Sequence, residues 1–447
     1  MPIKQIVVLM LENRSFDHML GFTKSPGFPI DGLTGDEQNY PDPLRPSGEP
    51  VKVSPTAIYV PDLDPGPGHE FGNVTRQLHG ADPAPNPSLG SNIGFVADYE
   101  MVSSPARGGN VMKCLAAGRL PVLETLAKEF AICDKWFSSL PGPTWPNRLF
   151  AHCATSAGYV DGNVRPYNMR SIFDSLSKAS VDWRIYYHDI PQTLSLVGQR
   201  KYFFSKYELF GDAFQRDCRN GLLPPYSFIE PRYFNRGDDR ANDQHPIHGV
   251  VAGELLLAQV YEAVRASPQW NDIMLIVTWD EHGGFYDHAP PEAATPPDNY
   301  TQHFDFASYG VRVPAVVVSP LMPRNTISND TYDHSSIPAT VRSVFALPES
   351  LTQRDYHANM LDGLCSVPTP RSDTPTTLPR PVVAPGQSLP ASDDRAPNDL
   401  QHDLLTLARE LGLGVDFAHL LRMPRAATES EAADEVHAHL DDFRRGR

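Results

Sequence analysis

The chain has 447 residues, 40% of them hydrophobic, enough to bury a large core in one extended α/β unit or in two or three average domains. A formal charge of -16 and a pI near 5.4 exclude the clustered basic face that nucleic-acid binding requires. No run of about eighteen apolar residues offers a transmembrane segment, so membrane contact, if any, is peripheral and made through loops.

The first element is the apolar run IKQIVVLML (3–11), which reads as a strand buried on both faces and runs straight into MLENRSFDHMLGF. Glu12 and Asn13 stand at its carboxyl end. Asp17 and His18 are expected to face outward or to cap the short helix that follows. Two long polar, Pro- and Gly-rich inserts come next, 23–58 and 61–93, the second carrying His69 in DLDPGPGHEF. Inserts of that length are usually functional or serve as lids. A helix over 120–131 and a strand over 130–137 lead to SSLPGPTWPNR, which places Thr144 between a Pro-Gly-Pro turn and a helix starting near Asn147.

A helix over 171–179 precedes the strand VDWRIYY (181–187), which ends on His188. The aromatic stretch RKYFFSKYELF (200–210) reads as a buried helix in preference to a membrane-facing patch. NDQHPIHG carries His245 and His248 immediately before a helix over 249–266, and IMLIVTW (273–279) is a strand followed by Asp280, Glu281, His282, Gly283 and Gly284. After a third insert, 286–306, the strand VRVPAVVVS (311–319) leads to Asp333 and His334 before a helix over 335–347. Strand alternating with helix predicts an α/β fold with a mostly parallel sheet flanked by helices. Residues 366–398, dense in Pro, Ser and Thr, read as a linker, and two amphipathic stretches (398–412 and 429–445) as a short helical C-terminal appendage.

Ligands of open α/β sheets bind outside the carboxyl ends of the strands. Four strands deliver polar groups to that rim, the strand over 311–319 among them. Glu12, Asn13, Asp280, Glu281 and the Thr144 hydroxyl are all oxygen donors, a set that suits Ca²⁺ or Mg²⁺, and also Mn²⁺. Zinc prefers more histidine, and two histidines nearby keep it as an alternative. A threonine hydroxyl becomes a nucleophile when a metal or base takes its proton; the plainer reading of Thr144 is an N-cap. Histidines converging on one rim can bind phosphate oxygens and protonate a leaving alkoxide. Five cysteines with wide spacings and no CxxC favour reduced thiols over disulfides or a zinc knuckle. The first residues lack the pattern of a secretory signal, so the chain as written reads as cytoplasmic, or as secreted or periplasmic if a leader has been removed.

LENRSFDHMLG, DPGPGHEF, SSLPGPTWPNRL, NDQHPIHG, VTWDEHGGFYDH and TYDHSSIPATV, in that order over residues 3–347, resemble the phosphoesterase family of non-specific phospholipases C and acid phosphatase A, within the alkaline-phosphatase-like superfamily. The resemblance implies a metal-dependent phosphoric ester hydrolase acting through a phosphothreonine on Thr144. It implies Glu12, Asn13, Asp280 and Glu281 as metal ligands with Thr144, and His69 and His245 as phosphate-contacting residues. His282 is a candidate acid for the leaving group, beside His245, and His188, His248, His334 and Asn147 are assigned to the substrate site. The expected substrate is a glycerophospholipid, cleaved to diacylglycerol and a phosphorylated head group, with acid phosphatase or soluble phosphodiesterase activity as the alternative. The expected division is a catalytic domain over 1–365, a linker over 366–398 and a helical region over 399–447. Trp145 stands where the family often has Gln or Ser.

Overall fold

The computed structural model describes residues 3–60, 63–82, 90–246, 248–301, 303–383, 395–414, 417–420 and 423–446. Its centre is an eight-stranded sheet made of β1 (Gln5–Leu11), β2 (Ala131–Cys133), β3 (Trp183–Tyr187), β4 (Tyr207–Leu209), β5 (Tyr226–Glu230), β6 (Ile273–Trp279), β7 (Ala315–Val318) and β8 (Thr326–Ser328). The spatial order is β8-β2-β7-β6-β1-β5-β3-β4. β1 lies in the middle, parallel to β5 on one side and to β6 on the other, with Ile6 opposite Tyr226 and Met274. Both central strands are buried along nearly their whole length. That is why they read as unbroken apolar runs rather than as alternating ones.

The sheet differs from the expected one in several ways: β4 lies in the stretch 200–210 that reads as a helix, and β8 was not expected. β7 pairs antiparallel with both of its neighbours, β6 and β2, so its carboxyl end points away from the rim. The loop bearing His334 is delivered to the rim by β8, which runs parallel to β2. β5, YSFIE, falls in a stretch where no strand was expected: it is only five residues long and follows Pro224 and Pro225, which hide it among turn signals.

The helices that matter for the site are α1 (Phe71–His79), α2 (Thr144–Cys153), α3 (Val250–Arg265), α4 (Ser336–Val344), α5 (Asp399–Leu413) and α6 (Glu429–Arg444). The last two pack on each other so closely that a Cβ on Gly412 would lie 2.7 Å from the His439 carbonyl oxygen. Leu400, Leu404, Leu407, Val436 and Leu440 join the same apolar cluster as the sheet. Arg200 grips Glu410 with two bonds of 3.0 and 2.9 Å. The Pro-rich stretch before them is tied down where it is described: Tyr261 Oη donates to Pro375 O at 2.6 Å, and Leu378 N–H donates to Glu262 Oε1 at 2.9 Å. The rest of that expected linker, 384–394, lies outside the described residues. All five cysteines are free thiols, four of them buried.

Candidate active site

β1 ends where its last residues meet the turn after β6. The Asn13 backbone is left-handed, with φ of 50°, and its N–H donates to Asp280 Oδ1 at 3.0 Å. Gly283 and Gly284 then pass so close that only glycine fits. With φ of 66° and 72°, a Cβ on Gly283 would lie 2.5 Å from Asn13 O, and one on Gly284 would lie 2.5 Å from Pro67 Cβ. These contacts seat the His69 loop over the two strand ends.

Thr144 is the first residue of α2, whose N-cap is Pro143 with no side-chain capping bond. The hydroxyl therefore does not cap the helix. It points instead at Glu12 Oε2, 3.3 Å away, and Asn13 Oδ1, 3.5 Å away, while the first N–H groups of α2 are the kind that attract an anion. One helical turn on, Arg148 reaches Glu12 Oε1 at 2.6 Å and lies 3.4 Å from Asp280 Oδ2. Gln192 donates to Glu12 Oε1 at 3.0 Å. Burial pushes the Glu12 carboxyl well above its ordinary pKa, against the pull of Arg148 and with the repulsion of Asp280 added.

One guanidinium thus faces several buried carboxylates. Asp280 Oδ2 and Glu281 Oε1 are buried without a hydrogen-bond partner. Unsatisfied anionic oxygens at such depth cost several kcal/mol, roughly, unless a cation completes them. With the Asn13 amide and the Thr144 hydroxyl they form an oxygen-only set, and the residues present fit a hard divalent ion.

His69 and His245 line the cavities beside this pocket. One, of about 250 Å³, is bordered by His69, Thr144, Trp145, Asp399 and Asp403. His69 Nδ1 faces Pro67 O at 3.3 Å and its Nε2 lies 2.8 Å from Asp399 Oδ2. Burial works against its charge, but Glu281 and Asp399 outweigh that and hold its pKa well above the ordinary value. His245 Nε2 lies 3.3 Å from the other oxygen of Asp399.

The other candidate histidines each make contacts of their own. His282 is buried, its Nε2 2.7 Å from Gln77 Oε1 on α1 and its Nδ1 3.3 Å from Glu281 Oε2, so it braces a carboxylate. His334 faces the Asp280 carbonyl with Nε2 at 2.5 Å and receives Trp136 Nε1–H on Nδ1 at 3.2 Å, with its pKa lowered by burial. It positions the turn after β6. His248 sits between Asp243 (2.7 Å) and Glu429 (3.6 Å), which raise it to about 10 although burial opposes them. His188 stacks on Phe210 with its Nδ1 on Glu230 O at 2.8 Å, and burial lowers it to about 3. Asn147 accepts from Ser139 and Leu140 N–H and donates to the Gly142 and Pro143 carbonyls. That commits it to holding the turn before Thr144, with no group left for a substrate.

Asp17 and His18 do not face outward. Both are buried; His18 packs against Phe285 with ring centroids 3.9 Å apart and the planes tilted by 36°, and the cap of the short helix is Ser15. Sequence reasoning missed Arg148, although its i+4 spacing from Thr144 on one helix face is a readable signal. It also missed Asp399, Asp403 and Glu429, all from the C-terminal helices. Asp403 accepts from Trp145 Nε1 at 2.7 Å, and Glu429 accepts from Asn235 N–H at 2.6 Å. Because α5 and α6 share the core and reach the site, the described part of the C-terminal region does not behave as an appendage.

The phosphoesterase family model matches residues 3–348. Non-specific phospholipase C6 of Arabidopsis thaliana is 42% identical over 92% of this chain and 81% of its own length, and non-specific phospholipase C3 of the same plant is 40% identical over 85% and 76%. Phospholipase C B of Mycobacterium tuberculosis is 29% identical over 77% and 74%. A solved member of the alkaline phosphatase superfamily from Vibrio parahaemolyticus aligns over 55% of this chain and 65% of its own at 11% identity and a TM-score of 0.33, too distant a match to bear on the site.

Proposed function

Since this chain belongs to the phosphoesterase family and is a phosphoric ester hydrolase, we propose that it is a phospholipase C, cleaving glycerophospholipids to diacylglycerol and a phosphorylated head group with Thr144 as nucleophile. The observation that carries this is the Thr144 hydroxyl at the start of α2, 3.3 Å from Glu12 Oε2, in a site where Asp280 and Glu281 each keep one buried oxygen without a hydrogen bond. The relatives named as phospholipases C support that substrate class.

Glu12, Asn13, Asp280, Glu281 and Thr144 would hold a divalent metal, with Ca²⁺ or Mg²⁺ favoured by the oxygen donors. When bound, such an ion supplies Lewis-acid stabilisation of phosphoryl oxygens and favours the threonine alkoxide. The chain's own residues do the rest. Thr144 Oγ1 attacks phosphorus in line as its proton passes to Glu12 Oε2, the acceptor 3.3 Å away. The P–O bond to the glycerol oxygen breaks as the Thr144–phosphorus bond forms. His69, on the same cavity and held charged, donates its proton to the departing alkoxide. Water then attacks the phosphothreonine, giving a proton to the now neutral His69, and the Thr144 oxygen leaves with the proton held by Glu12, so that the phosphorylated head group is freed and the hydroxyl restored. Charge gathering on the equatorial oxygens faces the N-terminus of α2 and the histidine side of the cavity.

The test is to assay purified protein on phosphatidylcholine vesicles, on p-nitrophenyl phosphate and on its phosphocholine ester, with each divalent ion after chelator treatment. Release of diacylglycerol that stops in Thr144→Ala supports the reading. Turnover of the monoester alone would replace it with acid phosphatase, and turnover of the soluble diester alone with a phosphodiesterase.

A further inference from the structure

The acyl chains of a phospholipid find no room beside Thr144. Pockets that enclose drug-sized ligands measure about 300–1,000 Å³, and the cavities that meet at His69 and Asp399, the smaller of them bordered by Thr144, measure about 250 and 360 Å³. A head group fits there; two acyl chains do not. The lipid therefore has to offer its phosphate while its tails stay in the bilayer, with the cavity mouth resting on the membrane surface. We infer that this mouth is a docking face for a zwitterionic bilayer, carried by Phe71, Tyr159, Tyr300 and Phe304.

The face is built from loops that lean on the turn before Thr144. A Cβ on Gly142, in that turn, would lie 3.3 Å from Val160 O. Glu70, Gly162 and Asn163 form part of the cavity wall, and Glu70 accepts from Gly162 N–H at 3.2 Å. Phe71 follows Glu70 and packs edge-on to Phe304, with ring centroids 5.3 Å apart. Phe304 rests on Phe306 and joins Leu140, Phe150 and Val160 in a small apolar cluster apart from the main core. Tyr159 lies under the Arg165 guanidinium, 4.3 Å from its ring centroid, and packs on Tyr167. Gly158, with φ of 84°, admits the next loop so closely that a Cβ there would lie 3.0 Å from Tyr300 Cβ. Asp298 fastens that loop, accepting from Tyr300 N–H at 2.9 Å and from the Thr155 hydroxyl. Tyr300 is 59% and Tyr159 37% exposed, while Phe71 and Phe304 are half-buried. Aromatic rings on fixed loops, with the two phenol groups outermost, suit the boundary between lipid head groups and water. Charge selects the kind of surface. Glu70, Asp161 and Asp305 stand in the same loops, with Arg165 among them, on a chain of net charge -16. An anionic leaflet repels such a face; phosphatidylcholine does not.

The choice of occupant rests on the phospholipase C reading, but docking needs no turnover, so the experiment starts from full-length Thr144→Ala. It should sediment with phosphatidylcholine vesicles, with little change when salt is raised, and less with vesicles rich in phosphatidylserine. Adding Tyr159→Ser and Tyr300→Ser together should weaken that binding at least about tenfold. Tyr300→Trp should keep or tighten it. Phe204, 72% exposed just ahead of the edge strand β4 and no part of the cavity lining, is the control: Phe204→Ser should leave binding unchanged. With Thr144 restored, the double tyrosine variant should lose turnover on vesicles and keep the wild-type rate on the soluble phosphocholine ester of p-nitrophenol, which a misfolded protein would not. Absence of vesicle binding, binding that requires phosphatidylserine, undiminished binding by the double variant, or an equal loss in Phe204→Ser would overturn the docking face. Binding with the expected pattern by a protein that hydrolyses no phospholipid would keep the face and remove the phospholipase C reading.

Discussion

Two buried clusters of acids lie near β1, and they have opposite character. In one, Asp17, Asp31, Asp287 and His288 surround Arg312. Asp17 takes Arg312 Nη2 at 3.2 Å and the His288 N–H and Nδ1 at 2.7 and 2.6 Å. Asp287 takes Arg312 Nε at 2.9 Å and the N–H groups of Ala289 and Asp17 at 3.0 and 3.1 Å. Arg312 gives its remaining donors to the Asp31 and Asp134 carbonyls and lies over Phe16. The other cluster, around Thr144, has the same kinds of residue and an arginine as well, yet Asp280 Oδ2, Glu281 Oε1, Asn13 Nδ2 and Arg148 Nη1 are all left without partners. Asp17, Asp287 and His288 lie as close together as metal ligands would, but their lone pairs are already used. Unsatisfied groups, not residue types, separate a binding site from an internal strut.

The largest effects should divide along that line. Thr144→Ala should cut turnover about ten-thousand-fold, while changing unfolding free energy by only about 1 kcal/mol, since the hydroxyl's two contacts are long. A variant with near-normal diacylglycerol release would end the mechanism. Arg312→Met should do the reverse: it strands buried carboxylates and costs about 3–5 kcal/mol of stability, read by urea denaturation, with activity per folded molecule largely kept. Arg148→Met strands carboxylates too, but beside a pocket that accepts a cation, so added Mg²⁺ or Ca²⁺ should recover part of its lost stability. If the ion rescues Arg312→Met equally well, the distinction between the clusters fails.

How far the sequence carried this reading depended on which property was at issue. Strand runs buried on both faces, and ionisable groups placed at their ends, follow from composition and are visible along the chain: Glu12, Asn13, Asp280 and Glu281 were found that way. Direction was not visible, because AVVV looks the same parallel or antiparallel, so His334 was attributed to β7 instead of β8. Whether a polar atom is already satisfied was equally hidden, and Asn147, whose side chain is committed to the turn before Thr144, was therefore read as a substrate ligand. Asp399 was concealed by its own local role. Asn398 caps α5, and an Asn-Asp pair at a helix start needs no other explanation; only the fold brings it to His69 and His245, which lie far away in sequence.

The saturated cluster should also show itself in the pH dependence of stability. Burial disfavours charge on His288, but bonds to Asp17 and Asp31 raise it to about 10 in the folded state. A pKa raised by folding contributes stability that is fully present below the unfolded value, near 6.5, and is lost as pH rises through the folded one. Unfolding free energy should therefore fall between about pH 6.5 and 10, by a few kcal/mol at most. In His288→Gln that slope should flatten. An unchanged slope would mean that other groups set the alkaline limit and that His288 is not held charged by its two carboxylates.

The smallest expected change is the sharpest test of the unsatisfied cluster. Asp280→Asn keeps the shape of the side chain and an acceptor for the Asn13 N–H, which bonds to Oδ1 at 3.0 Å. It removes one negative charge from a pocket in which Glu12 is already pushed up by burial and by Asp280 itself. In chelator, where nothing offsets the crowded carboxylates, the variant should be as stable as wild type or more so, by about 1 kcal/mol. With saturating divalent ion the order should invert, because wild type gains binding free energy that the variant cannot, by about 2.7 kcal/mol at a hundredfold excess over Kd. Two denaturation curves for each protein, with and without the ion, measure this. Destabilisation of Asp280→Asn by the same amount in both conditions would mean that Asp280 acts as a strut like Asp17, paired by Arg148 alone, and the oxygen pocket would lose its claim to a metal.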